Sequence, residues 1–185
     1  FEGAVTAVSG IQDAFAVQAG NASHHARRII LAMGVADDLP AIPGLADRRG
    51  RTVFHCPYCH GYELADRTTG LLAVDAIPMH HATHLQDWTD DLVLLENGVP
   101  VMPEEADKLD RPGLRRAAGR VQRLHHTDGA LHAVELEGGL QIGMRALYLV
   151  SRQDPAAPLG QDLGCEMVDT PMGRHLRVDD FQRTS

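Results

Sequence analysis

Hydrophobic and polar positions along this chain follow two rhythms. At the start, "GAVTAVSGI" (3–11) and "DAFAVQAG" (13–20) are short β-rich runs with one tight turn between them, which predicts a hairpin. "ARRIILAMG" (26–34) is a basic lead-in to an apolar run that stops at Gly34, the pattern of a buried strand. "ADDLPAIPGLADRRG" (36–50) carries two prolines and two glycines and reads as a linker. Beyond it the pattern becomes strand–helix–strand. "GLLAV" (70–74) and "DLVLLE" (91–96) read as strands on either side of a helix at "PMHHATHLQDW" (78–88), whose proline falls in the first turn, where a missing N–H costs nothing. A second helix is predicted at "PEEADKLDR" (103–111), with Glu104 and Glu105 early and Lys108 and Arg111 late, as the helix dipole favours. "GRVQRLHH" (119–126) and "ALHAVELE" (130–137) flank Thr127-Asp128-Gly129, a hairpin signal, and "ALYLVS" (146–151) is one more short strand. The tail, 152–185, is broken by proline and glycine, with strand-like pieces near Glu166–Val168 and His175–Val178.

Strands alternating with helices from 70 to 111 predict a βαβ unit and a parallel sheet, hence an α/β fold. In a dinucleotide-binding βαβ unit the first turn reads G-x-G-x-x-G or A, because the backbone must approach a pyrophosphate closely. The equivalent stretch here is Asp75-Ala76-Ile77-Pro78-Met79-His80, with every glycine position filled by something else and a negative charge added at Asp75. Glu96 stands at the end of the second strand, where an acidic residue would meet ribose hydroxyls. The scaffold is that of a nucleotide domain with an eroded phosphate loop, so the expectation is a retained fold without tight NAD(P)H binding.

Composition narrows the function. The chain has 185 residues, 44% of them hydrophobic and 23% charged, which is ordinary for a soluble globular protein. A net charge of −8 argues against a nucleic-acid or anionic-membrane partner. The longest apolar run, Ile29 to Met33, is far too short for a membrane span. The N-terminus has neither the features of a signal peptide nor an initiator Met, so the chain reads as a fragment. Three cysteines are too few for a disulfide scaffold, and the default compartment is the cytoplasm.

Two of those cysteines define the candidate chemistry. "HCPYCHGY" (55–62) contains a Cys-x-x-Cys that fits a redox dithiol, half of a zinc site or, with the following His, a haem attachment site. Zinc needs four ligands, and neither a second Cys-x-x-Cys nor a standard histidine spacing supplies them. The haem reading wants a small, mostly helical, exported domain, and this chain is strand-rich. The redox reading is therefore preferred. Pro57 suits a first helical turn, which would set Cys56 and Cys59 near a positive helix end, where thiolates are favoured. His60 and His55 flank the pair and can exchange protons near neutrality. Cys165 has no partner motif and reads as a small buried residue. His80 and His84 share a helix face, a solvated face being the simplest reading. Arg27–Arg28, Arg48–Arg49–Arg51 and Arg115–Arg116 are short basic clusters of the kind usually found exposed.

"RRIILAMGVADDLPAIPGL" followed by "FHCPYCHGYE" resembles the middle of the thioredoxin reductase-like flavoproteins, the FAD/NAD(P)-dependent pyridine nucleotide-disulfide oxidoreductases. In that family an Ala-Thr-Gly-type strand end, here Ala32-Met33-Gly34, is followed by a Leu-Pro-x-Ile-Pro-Gly linker, here Leu39 to Gly44, and then by the dithiol. The tail from Pro158 resembles the family's return into its FAD domain. The resemblance implies a Rossmann-like NAD(P)-type domain, three-layered with a parallel sheet and a β-meander, over 47–151. Residues 1–46 and 152–185 would be partial FAD-type flanks. The family's N-terminal G-x-G-x-x-G and its C-terminal Gly-Asp segment are absent, so the fragment alone is expected to bind FAD poorly and to be inactive.

The resemblance also implies roles. Cys59 would face the flavin, Cys56 would exchange with substrate and His60 would be the acid/base, with FAD as cofactor of the intact protein. The cofactor-side positions would be Gly34, Asp75, Ala76, Ile77, Pro78, Met79 and Glu96. The partner would be a thioredoxin-like protein or a small-molecule disulfide or dithiol, and the intact protein a homodimer. His60 stands where the commonest family dithiol has Asp. The Cys-x-x-Cys-His-Gly-Tyr-Glu form is similar to dithiol oxidases that close disulfides in natural products such as holomycin and gliotoxin. Those pass electrons to oxygen without NADPH, which fits the eroded loop at 75–80. A redox-inert module on the same scaffold is the alternative from another class.

Overall fold

The computed structural model describes residues 3–184; Phe1, Glu2 and Ser185, the outermost residues of the two predicted flanks, lie outside the described residues. The chain divides into two compact units, one made of the residues up to Asp38 and from Arg152, the other of Leu39–Ser151. None of the described helices is long and apolar enough to cross a membrane.

The first unit opens with β1 (Val5–Ile11), β2 (Ala14–Ala19) and β3 (Ala22–Ala26), an antiparallel meander in that order. The predicted hairpin is present, and Asp13 turns it at φ +72°, a conformation its short polar side chain tolerates. The expected buried strand over 26–34 is not formed. β3 ends at Ala26, and Ile29–Met33 runs on without a ladder among the described residues. Ile30 is 92% exposed. An apolar run becomes a strand only where a neighbour pairs with its backbone, and this one instead lines a groove with Val5, Val8, Val17, Ala157 and Leu159. β4 (Val35–Asp38) comes next, inside the expected linker.

The second unit contains the doubly covered sheet. Its elements are β5 (Val53–Phe54), α1 (Pro57–His60), β6 (Thr69–Leu72), α2 (Met79–Leu85), β7 (Leu92–Leu95), α3 (Pro103–Leu109), β8 (Leu114–Ala117), β9 (Val121–Thr127), β10 (Ala130–Leu136), β11 (Gln141–Gly143) and β12 (Ala146–Leu149). The strands β5-β12-β6-β7-β8 form one parallel sheet in that order. Every residue of β6, β7 and β12 is buried, the mark of parallel strands covered on both faces. One cover is the β9–β11 meander, whose Leu124, Leu131, Val134 and Leu136 pack with Leu72, Val93, Leu95, Leu147 and Leu149. Leu39, Ile42 and Leu45 join this core, which draws that part of the linker into the second unit. The other cover is helical, with Ala82 and Leu85 of α2 and Leu109 of α3 against Leu71, Leu92, Leu94 and Tyr148. Glu105 caps α3 by accepting a 2.9 Å hydrogen bond from the Met102 N–H. The architecture is α/β, with a parallel sheet layered between a β-meander and helices, as expected.

The chain then re-enters the first unit through β13 (Arg152–Pro155), α4 (Leu159–Asp162), β14 (Met167–Thr170) and β15 (Gly173–Leu176), forming a sheet of order β14-β15-β13-β4. Cys165 is buried there, as its isolation in the sequence suggested.

Strand order places the site. In the parallel sheet the chain leaves β6 towards β7 on one side, while β12 and β5 lie on the other, so the order reverses between β6 and β12. Ligand crevices in open α/β sheets form outside the carboxyl ends of the strands at such a reversal. The segment leaving β6 at that reversal carries Asp75 to Met79, and the segment leaving the outermost strand β5, beyond β12 at the same end of the sheet, carries Cys56.

Candidate functional site

β5 delivers the chain to the dithiol through His55. Cys56 caps α1 in an extended conformation (φ −112°, ψ 111°), Pro57 fills the first helical position, and Cys59 sits within the same single turn. The Cys59 N–H donates to the Cys56 carbonyl at 3.2 Å, and the two Sγ atoms lie 2.8 Å apart with Cys59 donating to Cys56. The pair is thus held within bonding reach by the backbone of one turn. Cys56 is half-buried and Cys59 exposed. A one-turn helix has little macrodipole, and the larger influence on the thiols is mutual. The hydrogen bond to Cys56, then burial and the charge of Cys56, push the Cys59 thiol up, so Cys59 keeps its proton while Cys56 is the sulfur that accepts.

The C-terminal side of the turn is also held. The Gly61 N–H donates to the Pro57 carbonyl at 2.8 Å. A Cβ on Gly61 would collide with the Trp88 Nε1 and come within 2.5 Å of Trp88 Cε2 and of the Pro57 carbonyl oxygen, so glycine is required for the indole to lie against the turn. Trp88 itself is pinned by its N–H to Leu85 at 3.0 Å and by its carbonyl, which accepts from Asp66 at 2.9 Å.

Histidines surround the pair. The His60 ring lies 4.4 Å from that of Phe54, and among the described residues it makes no hydrogen bond to either thiol. His81 of α2 donates from Nε2 to the His55 carbonyl at 2.8 Å, tying the helix to the residue before Cys56. The Tyr58 hydroxyl meets the His84 ring at 3.1 Å, and the His80 and His84 rings are 4.0 Å apart, as their shared face predicted. Burial, then Arg49 and His60, lower the His55 pKa; burial, opposed in part by its hydrogen bond to His55, lowers that of His81. Both imidazoles are neutral at pH 7. Among the described residues no three His, Cys, Asp or Glu side chains gather into an arrangement that could hold a metal.

The loop after β6 does not fit a pyridine nucleotide. Asp75 and Ala76 are exposed, whereas Ile77 turns inward, 7% exposed, and packs in the helix-side core with Met79 against it. Pro78 caps α2. A glycine loop leaves room for a pyrophosphate; here an isoleucine anchors the loop and an exposed carboxylate repels phosphate. Glu96 is engaged by the Arg116 guanidinium at 2.7 Å. Asn97 straps the same end of the sheet, donating to the Ala73 carbonyl at 3.1 Å and accepting from the Val121 N–H at 2.9 Å. The structure therefore brings Asp75 to Met79 to the dithiol's end of the sheet but leaves Glu96 occupied. Arg28 and Arg115 are likewise spent on carboxylates, Asp13 and Asp91.

Gly34 lies in the first unit at φ +71°, with no atom within 4 Å of where a Cβ would stand, and its carbonyl accepts from Ala156 at 3.1 Å.

Sequence reasoning missed Tyr148, which pairs with Phe54 across β12 and β5, and the Gly61–Trp88 contact. The signals were a phenol within an otherwise apolar strand and a glycine directly after Cys-x-x-Cys-His.

A cysteine pair on a one-turn helix at the carboxyl end of a doubly covered parallel sheet is a candidate redox site on an α/β fold. The relatives are more specific. No protein-family model matches the chain. Thioredoxin reductase aclD of Aspergillus oryzae is 31% identical over 125 residues, 61% of this chain and 38% of that protein. Thioredoxin reductase sirT of Leptosphaeria maculans is 46% identical over 50 residues, 26% of this chain and 15% of that protein. Among solved structures, an oxidoreductase from Agrobacterium tumefaciens matches all of this chain and 61% of its own at 34% identity and a TM-score of 0.89. HlmI matches all of this chain and 59% of its own at 33% identity and a TM-score of 0.86. The chain is related to the thioredoxin reductase-like oxidoreductases and corresponds to a part of their length.

Proposed function

We propose that this chain carries the exchange centre of a flavin-linked thiol–disulfide oxidoreductase of thioredoxin reductase type, with Cys56 and Cys59 as the redox pair. The observation that carries this reading is the 2.8 Å approach of the two sulfurs on one turn at the carboxyl end of the parallel sheet. Because Cys59 holds its proton by donating to Cys56, Cys56 is the exchanging sulfur. In the reducing direction the Cys56 thiolate attacks a substrate disulfide, the substrate S–S bond breaks, a Cys56–substrate disulfide forms and one substrate thiolate leaves. Cys59 then loses its proton to His60 and attacks the Cys56 sulfur, which closes the Cys56–Cys59 disulfide and releases the second substrate thiolate. Two electrons pass from the pair to the substrate. The His60 ring lies against Phe54, one residue along the chain from Cys59. Tyr58 and Tyr62, 71% and 81% exposed, offer aromatic faces to a small-molecule disulfide or dithiol or to a thioredoxin-like protein. In the whole protein Gly34 would be among the residues that hold FAD, which would supply two-electron redox chemistry.

A second reading concerns direction. The anchored Ile77, the exposed Asp75 and the Arg116–Glu96 pair favour a dithiol oxidase that takes electrons from substrate and does not depend on NADPH. The exchange reading is tested on the 185-residue chain. Thiol titration should lose two groups on oxidation and regain them on reduction, and C59S should trap glutathione on Cys56, detected by mass. A pair that does not oxidise reversibly, or an adduct on neither cysteine, overturns it. Calorimetric titration with NADPH tests the direction: no binding supports the oxidase, and micromolar binding refutes it.

A further inference from the structure

Tyr148 is completely buried, and it heads the fully buried side chains of the described residues by volume. Its hydroxyl is the one buried side-chain oxygen or nitrogen among the described residues with no hydrogen-bond partner. Phenylalanine would fill the same space without the cost of desolvating an idle hydroxyl. An orphan of this kind calls for a partner that the resting arrangement withholds.

Its surroundings name that partner. Tyr148 pairs with Phe54 in the β12–β5 ladder, their rings 5.5 Å apart, and Cys56 is two residues beyond Phe54. Phe54 in turn touches His60 at 4.4 Å. The phenol is therefore at the dithiol's end of the core. Burial first, then the negative charges possible at Cys56, Glu63 and Cys59, keep it protonated throughout the physiological range. It is a donor that does not ionise. In the reduced dithiol the sulfurs satisfy each other, with Cys59 donating to Cys56. Once Cys56 carries a full charge, one weak S–H donor is poor compensation, and a thiolate readily accepts a second hydrogen bond.

Resting on the exchange reading, we propose that Tyr148 is a positioning residue whose buried hydroxyl is held in reserve as hydrogen-bond donor to the Cys56 thiolate. The bond forms as Cys56 ionises and is surrendered as that thiolate attacks the substrate disulfide, when the charge passes to the departing substrate sulfur. No proton leaves the phenol. The effect is to raise the fraction of Cys56 present as thiolate, the nucleophilic form.

The test is Y148F, read by the pH dependence of Cys56 alkylation with iodoacetamide, resolved by mass spectrometry. The other titratable and charged groups about Cys56 remain in place: Cys59 and His60 on α1, His55 and Arg49 before it, Glu63 after it, and His81 on α2. The Cys56 midpoint should rise by about one pH unit, with alkylation at pH 7 slowed roughly tenfold, as loss of one charge-assisted hydrogen bond requires. Trp88 emission and the denaturation midpoint should hold or improve, since an unpaired hydroxyl has been removed. An unchanged Cys56 midpoint in a folded Y148F chain overturns the proposal, and so does a Y148F chain that loses its Trp88 spectrum, because the hydroxyl is then structural. If the wild-type pair does not oxidise reversibly, the exchange reading fails instead, whatever Y148F does.

Discussion

Replacing Gly61 by alanine tests whether the dithiol turn is built as described. The position has φ −61° and ψ −39°, ordinary helical values, so alanine meets no backbone strain. On backbone grounds alone the change should stabilise by about 0.4–1 kcal/mol, through a less disordered unfolded chain. Sterics oppose this. The new Cβ collides with the Trp88 Nε1 and reaches 2.5 Å from both Trp88 Cε2 and the Pro57 carbonyl oxygen. Neither side yields easily, because one is a main-chain carbonyl already bonded to the Gly61 N–H and the other a rigid indole whose backbone is tied at both polar atoms. Overpacking of this kind costs about 1–3 kcal/mol, so the net expectation is a loss of about 1–2 kcal/mol. Trp88 is the chain's only tryptophan, so fluorescence reports on the surroundings of this indole. In urea the transition followed by Trp88 should move down by about 0.5–1 M for a slope near 2 kcal/mol per molar. Disulfide closure between Cys56 and Cys59 should slow as the turn is pushed open. In a W88L background, followed by circular dichroism, the cost should shrink. A G61A chain as stable as wild type, with unchanged Trp88 emission, would refute the packing argument.

Three other expectations rest on single contacts. Gly173 has φ +122°, and a Cβ there would overlap the Gln153 carbonyl oxygen, so G173A should break the β13–β15 pairing and unfold the first unit's second sheet, read as lost amide protection over Gly173–Leu176 by hydrogen exchange. His55, His81 and His126 all have folded pKa values below the ordinary 6.5. The unfolded chain therefore binds protons first, so the second unit should keep full stability above about pH 6.5 and lose it as pH falls further, with H81Q giving a shallower fall in denaturation midpoint. Asp91, held low by Thr68 and Arg115, adds its contribution above about pH 4 and loses it below, a limb that D91N should remove from the same stability profile.

Much of the second unit was legible because its strands are buried on both faces and its helices open on proline. β6, β7 and β12 are apolar runs, α2 and α3 open at Pro78 and Pro103, and Asp128 and Gly129 turn the meander at φ +50° and +83°. The elements that escaped notice lack any such pattern. β8 reads Leu-Arg-Arg-Ala, with both arginines on an exposed edge; β5 is two residues long; β4 is Val-Ala-Asp-Asp. Their neighbours in the ladder make them strands, and neighbours are not written in the local sequence. The reverse holds for Ile29–Met33, which has a strand's composition and no ladder partner among the described residues. At the site, the Cys-x-x-Cys announced itself, but Tyr148 is one letter in an apolar run. Only burial and an empty hydroxyl distinguish it.

The loop after β6 shows why erosion of a motif can be told from mere absence. If Asp75 to Met79 were simply a cradle that had lost its glycines, its side chains would be idle and replaceable. Ile77 is not idle, for it is 7% exposed and packs with Leu71, Ala82 and Leu85. Its removal as I77A should therefore cost about 2–4 kcal/mol, the usual toll of a truncated core aliphatic. The same substitution should leave NADPH binding undetectable, because Asp75 still opposes the phosphates and Arg116 still occupies Glu96 at 2.7 Å. Stability is read by urea denaturation and binding by calorimetry on the same sample. A stable I77A chain would mean that the isoleucine only obstructs, and micromolar NADPH binding by that chain would mean that the loop is a masked nucleotide site. Loss of stability without gain of binding is the outcome required if the loop has become part of the scaffold that holds α2, and through His81 and His55 the dithiol turn, in place.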